Sequence, residues 1–289
     1  MKSGFVSILG LPNAGKSTLL NALMGEKLAI ISHKSQTTRH RIKGILSEEG
    51  YQLVISDTPG IIADPEYRLH EKMMQNVRSA AEDADVALLL ADASGDHDKA
   101  DQVFTSLKLK VPALVVLNKT DKLSEKKLEE ALAYFSQKPY CRGIIHISAL
   151  NRKGINELVE QLLQFVPEGD PFYSGDDISD LPTKFFVQEI IREKIFQLFQ
   201  DEIPYQATVL VTEFKEKETL VKISADIIVQ RESQKGIIIG DGGKMIKKIG
   251  TLARQEIETF LEQKVFLELF VKARDKWRES DMYLKEYGY

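Results

Sequence analysis

Residues 5–18 read Phe5-Val6-Ser7-Ile8-Leu9-Gly10-Leu11-Pro12-Asn13-Ala14-Gly15-Lys16-Ser17-Thr18. The apolar start has the length of a strand, and the loop after it has the P-loop spacing Gly10-x-x-x-x-Gly15-Lys16-Ser17. Glycines let successive backbone N–H groups turn toward phosphate oxygens, and the start of the helix that follows adds positive charge. We predict that residues 10–18 bind phosphates, with Lys16 at the β- and γ-phosphates and the Ser17 hydroxyl on Mg²⁺.

The bulk composition is that of an ordinary globular protein. The chain has 289 residues, 43% apolar and 28% charged, with a net charge of −4. This length predicts one or two domains, and mild acidity argues against a protein that coats nucleic acid over its whole surface. Cys141 is the only cysteine, so a reducing compartment is indicated. We find no signal-peptide pattern and no apolar run near the ~20 residues of a membrane span, and we expect a soluble, cytoplasmic protein.

Strand and helix patterns alternate over the first 166 residues, and the strands are apolar throughout, as in Val86–Leu90. Such strands indicate a sheet that is covered on both faces. We therefore predict an α/β P-loop domain with a doubly wound, mostly parallel sheet. The predicted strands are Phe5–Leu9, Arg41–Leu46, Gln52–Ser56, Val86–Ala91, Ala113–Leu117 and Gly143–Ile147. The predicted helices are Lys16–Met24, Glu71–Glu82, Lys99–Leu107, Glu125–Phe135 and Ile155–Phe165.

A change of composition divides the chain near Pro167, where apolar periodicity gives way to proline, glycine and aspartate. We predict a first domain over 1–167, a linker over 168–182, a second domain over 183–278 and a tail over 279–289. The second domain is predicted as a smaller α+β unit. Its predicted elements are a helix Thr183–Gln200, strands Ala207–Phe214 and Leu220–Val229, a helix-rich stretch around Gly240 and a strand Val265–Val271.

Polar motifs follow three of the predicted strands, where ligands bind in such sheets. They are Asp57-Thr58-Pro59-Gly60, Asn118-Lys119-Thr120-Asp121 and Ser148-Ala149-Leu150. Asp57 is predicted to hold Mg²⁺, directly or through water, and the Gly60 amide to approach the γ-phosphate. The Asp121 carboxylate can accept from the N1–H and N2–H₂ donors of guanine, which adenine lacks.

The remaining contacts at this site are predicted from the same motifs. Asn118 would tie its loop to the P-loop, the Lys119 stem would lie along the base, and a backbone amide at 148–150 would meet guanine O6. Between the P-loop and Asp57 lies the polar stretch Ser35-Gln36-Thr37-Thr38-Arg39-His40. A threonine in it could complete the Mg²⁺ shell; Thr37 and Thr38 are both candidates, and we favour Thr38. His33 and His40 are expected to face solvent.

A Gly-x-x-Gly loop in the second half spans Gly240-Asp241-Gly242-Gly243. Lysines surround it, and residues 235–278 hold ten Lys or Arg against six Asp or Glu. Such a loop can clamp a nucleic-acid backbone, although a helix–helix turn with a capping glycine has the same pattern. With the predicted order of elements it resembles a type II KH module. The predicted RNA contacts are residues 240–243, Lys235, Lys244, Lys247, Lys248, Lys272, Arg274 and, by stacking, Trp277.

The ordered set of motifs resembles the translation-factor-related P-loop GTPases, and a G domain followed by a KH domain resembles the bacterial Era GTPase family. That resemblance implies a monomeric ribosome-assembly factor that uses GTP and Mg²⁺, binds the 3′ end of 16S ribosomal RNA and the 30S subunit, and associates peripherally with the membrane. Lys16, Thr38 and Gly60 would be catalytic. Ile61 replaces the glutamine that orients water in Ras-type enzymes, which predicts slow intrinsic hydrolysis. Asn13 resembles the asparagine that binds K⁺ in cation-stimulated members.

Three other functions are consistent with parts of the pattern. A P-loop small-molecule kinase or ATPase would share residues 10–17 but has no use for Asn118 and Asp121. A tRNA-modifying GTPase, or one with tandem G domains, would share the site but usually has other domains. A non-enzymatic RNA-binding adaptor is consistent with Ile61.

Overall fold

The computed structural model describes all 289 residues, which form two compact units. The first comprises Met1–Pro65 and His70–Asp180, and the second comprises Glu66–Leu69 and Leu181–Tyr289. None of the helices combines the length and the hydropathy needed to cross a lipid bilayer.

A six-stranded sheet forms the centre of the first unit, with strand order β2-β3-β1-β4-β5-β6. Only β2 runs antiparallel to its neighbour, so the predicted doubly wound, mostly parallel sheet is confirmed. Its elements are β1 Lys2–Leu9, α1 Lys16–Met24, β2 Ile42–Glu48, β3 Tyr51–Asp57, α2 Arg68–Asp83, β4 Val86–Asp92, α3 His97–Ser106, β5 Ala113–Asn118, α4 Glu125–Ser136, β6 Cys141–His146 and α5 Ile155–Leu163.

Burial explains why these segments form strands and helices. Leu88, Leu89 and Leu90 of β4 are fully buried, and each such side chain stabilises the fold by roughly 1.5–3 kcal/mol. In α2, buried side chains recur at helical spacing, as at Met73 and Val77. The carboxyl ends of β1, β3 and β5 meet at one edge of the sheet, which brings the polar motifs together.

The segment predicted as a linker is, for most of its length, part of the first unit, and that prediction is corrected here. Gln52 is almost fully buried; its Oε1 accepts from the backbone N–H groups of Phe172 and Tyr173 at 2.7 and 3.0 Å. The Ile45 N–H on β2 donates to the Ile178 carbonyl at 3.0 Å. Polar side chains and backbone therefore fix residues 168–180, although the segment has no apolar periodicity.

The second unit contains a three-stranded sheet with order β7-β8-β9, antiparallel between the first two strands and parallel between the last two. Helices pack on one face around buried Ile, Val and Ala side chains. The order of elements is that of the predicted KH arrangement. The elements are α6 Thr183–Leu198, α7 Ile203–Gln206, β7 Thr208–Glu216, β8 Val221–Val229, α8 Glu232–Ile239, α9 Lys244–Leu261, β9 Val265–Ala273 and α10 Asp281–Glu286.

The residues predicted as a C-terminal tail pack into the second unit, which corrects a further expectation. Helix α10 lies within them, and Leu284 and Tyr287 are buried. The Tyr289 hydroxyl lies 2.9 Å from that of Thr208. Residues 279–289 therefore contribute to the core of this unit.

Candidate nucleotide site and nucleic-acid interface

The P-loop borders a cavity of about 350 Å³ in the first unit. Lys16 is buried there, and its Nζ donates to the carbonyls of Gly10 and Leu11 at 3.1 and 2.8 Å. Burial lowers the Lys16 pKa to about 8, with attraction to Asp57 acting in the opposite direction. The amine is therefore mostly protonated at neutral pH and can neutralise phosphate charge.

Three side-chain oxygens meet beside the P-loop. The Ser17 hydroxyl donates to Asp57 Oδ2 at 2.6 Å, and Ser17 Oγ lies 2.8 Å from Thr38 Oγ1. The neighbouring Thr37 instead donates its hydroxyl to the Lys34 carbonyl at 2.8 Å. Of the two threonines left open by the sequence, Thr38 is the one that lies with Ser17 and Asp57.

The Asp57 carboxylate is fully buried, and its Oδ1 atom has no hydrogen-bond partner in the protein. Burial raises the pKa of Asp57 to about 6, while hydrogen bonds from Ser17, Thr38 and Thr58 and the charge of Lys16 act against this rise. An unpaired, buried carboxylate oxygen beside two hydroxyls is a set of hard oxygen donors, which suits Mg²⁺. The residues present therefore fit the metal.

The backbone after Asp57 passes close beneath the P-loop. The Ile61 N–H donates to the Gly10 carbonyl at 3.1 Å, and the Thr58 hydroxyl donates to the Ile8 carbonyl at 2.7 Å. A Cβ on Gly60 would lie 2.7 Å from the Cα of Pro12, so only glycine permits this approach. Ile61 presents an apolar side chain, which can neither donate nor accept a hydrogen bond.

The predicted base-binding residues lie together at the ends of β5 and β6. Asn118 Nδ2 donates to the Ala14 carbonyl at 2.9 Å, and Asn118 Oδ1 accepts from the Ala149 N–H at 3.0 Å. The Ser148 hydroxyl donates to Asp121 Oδ1 at 2.5 Å. Asn118 thus ties two loops to the P-loop, while Ser148 orients the carboxylate that would read the base.

Asp92 belongs to this site although no sequence motif indicated it. Lys119 Nζ donates to Asp92 Oδ2 at 2.7 Å and to the Asn13 carbonyl at 2.6 Å. Burial raises the pKa of Asp92, but hydrogen bonds from Lys119 and Ser94 outweigh it and leave the pKa below its ordinary value. The ion pair fixes the Lys119 stem. The only sequence signal was a carboxylate at the end of an apolar strand.

The predicted nucleotide-binding residues divide into two groups. Those that line the cavity are Pro12, Asn13, Gly15, Lys16, Ser17, Thr18, Thr38, Gly60, Asn118, Lys119, Asp121 and Leu150. Those that do not line the cavity are Gly10, Leu11, Ala14, Asp57, Thr58, Pro59, Ile61, Ser148 and Ala149. Thr37, the second candidate for the Mg²⁺ shell, also lines the cavity. Further lining residues that sequence reasoning did not assign are Ile30, Ile31, Ser32, His33, Lys34, Gln36 and Lys122.

In the second unit, the Gly-x-x-Gly loop joins α8 to α9 at the surface. Gly240, Gly242 and Gly243 have φ values of 72°, 57° and 77°, which favour glycine. The Asp241 side chain is 94% exposed. Lys244, Lys247 and Lys248 are exposed and share one face of α9. An open loop at a helix N-terminus with nearby lysines suits a phosphate backbone.

The other predicted RNA contacts differ in their surroundings. Lys272 pairs with Asp226 at 2.6 Å, and Lys235 lies 3.7 Å from Glu232; Arg274 is exposed directly after β9. The prediction for Trp277 is wrong. Its side chain is fully buried, its Nε1 donates to the Gln206 carbonyl at 3.0 Å, and its ring stacks on Tyr289, so no face is open to a base.

Comparisons with known proteins identify the family. A model described as 50S ribosome-binding GTPase matches residues 5–119, and a KH domain model matches residues 202–278. GTPase Era of Geotalea uraniireducens is 46% identical over 293 residues, covering 100% of this chain and 98% of the relative. The chain belongs to the Era family of GTPases. The chloroplastic GTPase ERA-like protein of Oryza sativa is 42% identical, covering 100% of this chain and 69% of that relative.

Two solved Era structures are similar over the whole chain. One is Aquifex aeolicus Era Y63A bound to GDP·AlF4⁻, and the other is Era in complex with MgGDPNP and nucleotides 1506–1542 of 16S ribosomal RNA. Each has a TM-score of 0.96, 38% identity, and coverage of 100% of this chain and 99% of that one. Membership in the Era family decides against a kinase or ATPase, a tandem-domain or tRNA-modifying GTPase and a non-enzymatic adaptor.

Proposed function

We propose that this Era-family protein is a GTP-driven switch that binds the 3′ end of small-subunit ribosomal RNA and assists assembly of that subunit. The observation that carries the proposal is the meeting of Ser17, Thr38 and Asp57 beside the P-loop. A loop residue that joins a metal site can report the nucleotide state. The relatives solved with MgGDPNP, GDP·AlF4⁻ and 16S ribosomal RNA support this proposal.

In this proposal the two ends of the site recognise different parts of GTP. Asp121 accepts from the guanine N1–H and N2–H₂ groups, while Asn118 and Lys119 hold the base loop against the P-loop. Lys16 and the amides of residues 13–18 bind the phosphates. Mg²⁺ would be held by Ser17, Thr38 and Asp57, and it supplies positive charge to the phosphate oxygens when bound.

Hydrolysis in this proposal does not use a glutamine. Ile61 cannot orient water, so stabilisation of transition-state charge would come from Lys16 and from the backbone amide of Gly60. Both lie at the P-loop: Lys16 on α1, and Gly60 packed against Pro12. Intrinsic hydrolysis should therefore be slow, because the Ile61 side chain can neither act as a base nor orient the attacking water.

A bound potassium ion would add charge to the same site, with Asn13 as a ligand. Asn13 lines the cavity in a left-handed conformation, φ 62°. We expect GTP hydrolysis to be several-fold faster in KCl than in NaCl of equal ionic strength, because the larger ion gives up its water more readily. Steady-state phosphate release in the two salts measures this effect, with Asn13→Ala expected to remove it. Equal wild-type rates would refute the potassium site.

Coupling to RNA would follow from the ordering of loops. GTP would order Thr37, Thr38 and residues 61–67 through the γ-phosphate and Mg²⁺. If RNA affinity changes with this ordering, then RNA must change GTP affinity by the same factor. Hydrolysis would therefore time the change of RNA binding.

The experiment that tests the function measures affinity for a 3′-end oligonucleotide of 16S ribosomal RNA, with GDP and with GDPNP, at one salt concentration. Gly242→Asp is compared with Gly242→Asn, because both side chains tolerate the φ of 57° and meet no atom within 4 Å. Only the aspartate adds a negative charge. We expect tighter wild-type binding with GDPNP, a loss of about tenfold or more in Gly242→Asp, and a smaller loss in Gly242→Asn.

Equal wild-type binding in the two nucleotide states would refute the switch, and equal losses in the two variants would refute the phosphate contact. Association with the 30S subunit as a monomer, and peripherally with the membrane, is part of the same proposal. Co-sedimentation with 30S subunits and with phospholipid vesicles, in either nucleotide state, tests these two associations separately.

A further inference from the structure

Asn21 on α1 makes three hydrogen bonds to one short stretch of backbone. Its Oδ1 accepts from the N–H groups of Leu28 and Ala29 at 2.9 and 2.7 Å, and its Nδ2 donates to the Ala29 carbonyl at 2.7 Å. Leu28, Ala29 and Ile30 are buried and belong to no helix or strand. Buried backbone groups need hydrogen-bond partners, and for Leu28 and Ala29 the Asn21 side chain supplies them.

The stretch held by Asn21 leads directly into the loop that borders the nucleotide cavity. Residues 30–34 and 36–38 line the cavity wall. We refer to residues 30–38 as the switch loop. Thr38, at its far end, contacts Ser17, and Ser17 lies four residues before Asn21 on α1. Residues four apart share a helix face. One face of α1 therefore holds both the backbone that leads into the switch loop and the far end of that loop.

From this geometry we infer that Asn21 is a positioning residue for GTP hydrolysis. It fixes the root of the switch loop and so places Thr38 at Ser17 and Asp57 when the γ-phosphate is present. The inference deepens the proposed function and rests on it. Because GDP lacks the γ-phosphate, its binding does not require the ordered loop. Asn21 is therefore expected to favour GTP over GDP.

The test compares wild type, Asn21→Ala and the control Glu26→Ala. Glu26 is exposed in the same connection between α1 and Leu28. We expect Asn21→Ala to weaken binding of GDPNP and to lower kcat by about tenfold each, which corresponds to about 1.4 kcal/mol. The GDP affinity of Asn21→Ala is expected to stay within about twofold of wild type. All three quantities measured for Glu26→Ala (GDP affinity, GDPNP affinity and kcat) should stay within the same range, because surface substitutions usually have small effects.

Amide hydrogen exchange of Leu28 and Ala29 gives a second readout that needs no activity. Loss of the Asn21 acceptor should speed exchange at both N–H groups in the GDP-bound protein. Where Asn21→Ala is too unstable to purify, Asn21→Asp keeps the two accepted bonds and loses only the bond donated to Ala29. Asn21→Asp should lower the affinity for GDPNP relative to GDP, as Asn21→Ala does, but by a smaller factor.

Two results would overturn the inference. Equal losses of GDP and GDPNP affinity would show that Asn21 serves the fold alone. An unchanged ratio of the two affinities, with unchanged amide exchange, would show that the switch loop does not depend on it. Failure of the proposed function would be visible in wild type by itself, as RNA affinity that does not respond to nucleotide.

Discussion

Asp121→Asn is expected to weaken GTP binding by about two orders of magnitude, because two hydrogen bonds to a charged acceptor are lost. The asparagine amide also places N–H donors against the N1–H and N2–H₂ donors of guanine. Xanthine carries a carbonyl oxygen in place of the N2 amino group. The variant should therefore gain affinity for XTP, since its amide can donate to that oxygen and accept from N1–H.

Competition binding of GTP, ATP and XTP to wild type and variant measures this change of specificity. Asp176→Asn is the matched control, since Asp176 is an exposed carboxylate outside the cavity, and it should leave all three affinities unchanged. Ser148→Ala removes the 2.5 Å bond that orients Asp121 and the 3.3 Å bond that Ser148 Oγ accepts from the Asn151 N–H. We expect a loss of GTP affinity of a few-fold without a change of preferred base. Loss of GTP binding without any gain for XTP would contradict the assigned role of Asp121.

The fold and most of the nucleotide site could be predicted from the sequence because their signals are local. Each motif directly follows an apolar strand, and parallel strands bring their carboxyl ends to one edge whatever lies between them. Asn118 shows this well, since it lies 104 residues from Ala14 in sequence and bonds to its carbonyl at 2.9 Å. The Asn118-Lys119-Thr120-Asp121 motif, placed directly after an apolar strand, predicted this contact.

Predictions from the sequence were wrong where the role of a residue depends on a contact with a residue that no sequence pattern indicates. Trp277 follows a basic cluster, which suggested an RNA contact, but the ring is enclosed by Tyr287 and Tyr289. Those two tyrosines lie in a stretch too short and polar to predict as core. The same stretch was expected to be a tail for this reason.

The roles of Asp92 and Asn21 could not be predicted from the sequence for a related reason. Asp92 accepts a bond from the Lys119 amine, and Asn21 bonds to the backbone of Leu28 and Ala29. A carboxylate at a strand end and an amide in a helix are ordinary features, and neither has a distinctive spacing. The choice between Thr37 and Thr38 likewise depends on which hydroxyl faces Ser17, a matter of one residue in a loop without periodicity.

Asp57→Asn should make the protein more stable without Mg²⁺ and nucleotide, while abolishing GTP hydrolysis. The Asp57 carboxyl is fully buried, and burial raises its pKa from 3.8 to about 6. A shift of this size corresponds to about 3 kcal/mol of unfavourable free energy for the ionised form in the folded protein. Asparagine has no charge to bury, so the variant should gain about this much in free energy of unfolding at pH 8.

The sign of the pH dependence follows from the two pKa values. Between about pH 4 and 6 the folded protein retains a proton on Asp57 that the unfolded chain releases. The neutral carboxyl therefore contributes fully to stability below about pH 4, and this contribution is lost as the pH rises through about 6. The difference between Asp57→Asn and wild type should therefore be large at pH 8 and small at pH 4. Denaturant unfolding in EDTA at both pH values measures it.

Asp92→Asn is the control of opposite sign. Hydrogen bonds from Lys119 and Ser94 outweigh burial and lower the pKa of Asp92, so losing this carboxylate should destabilise the protein at pH 8. Adding Mg²⁺ and GDP should stabilise wild type more than Asp57→Asn, because only wild type keeps the buried charge that the metal neutralises. A variant less stable than wild type in EDTA at pH 8 would contradict this account. The buried carboxylate would then be stabilised by the protein itself, and a metal would not be needed to explain its unpaired oxygen.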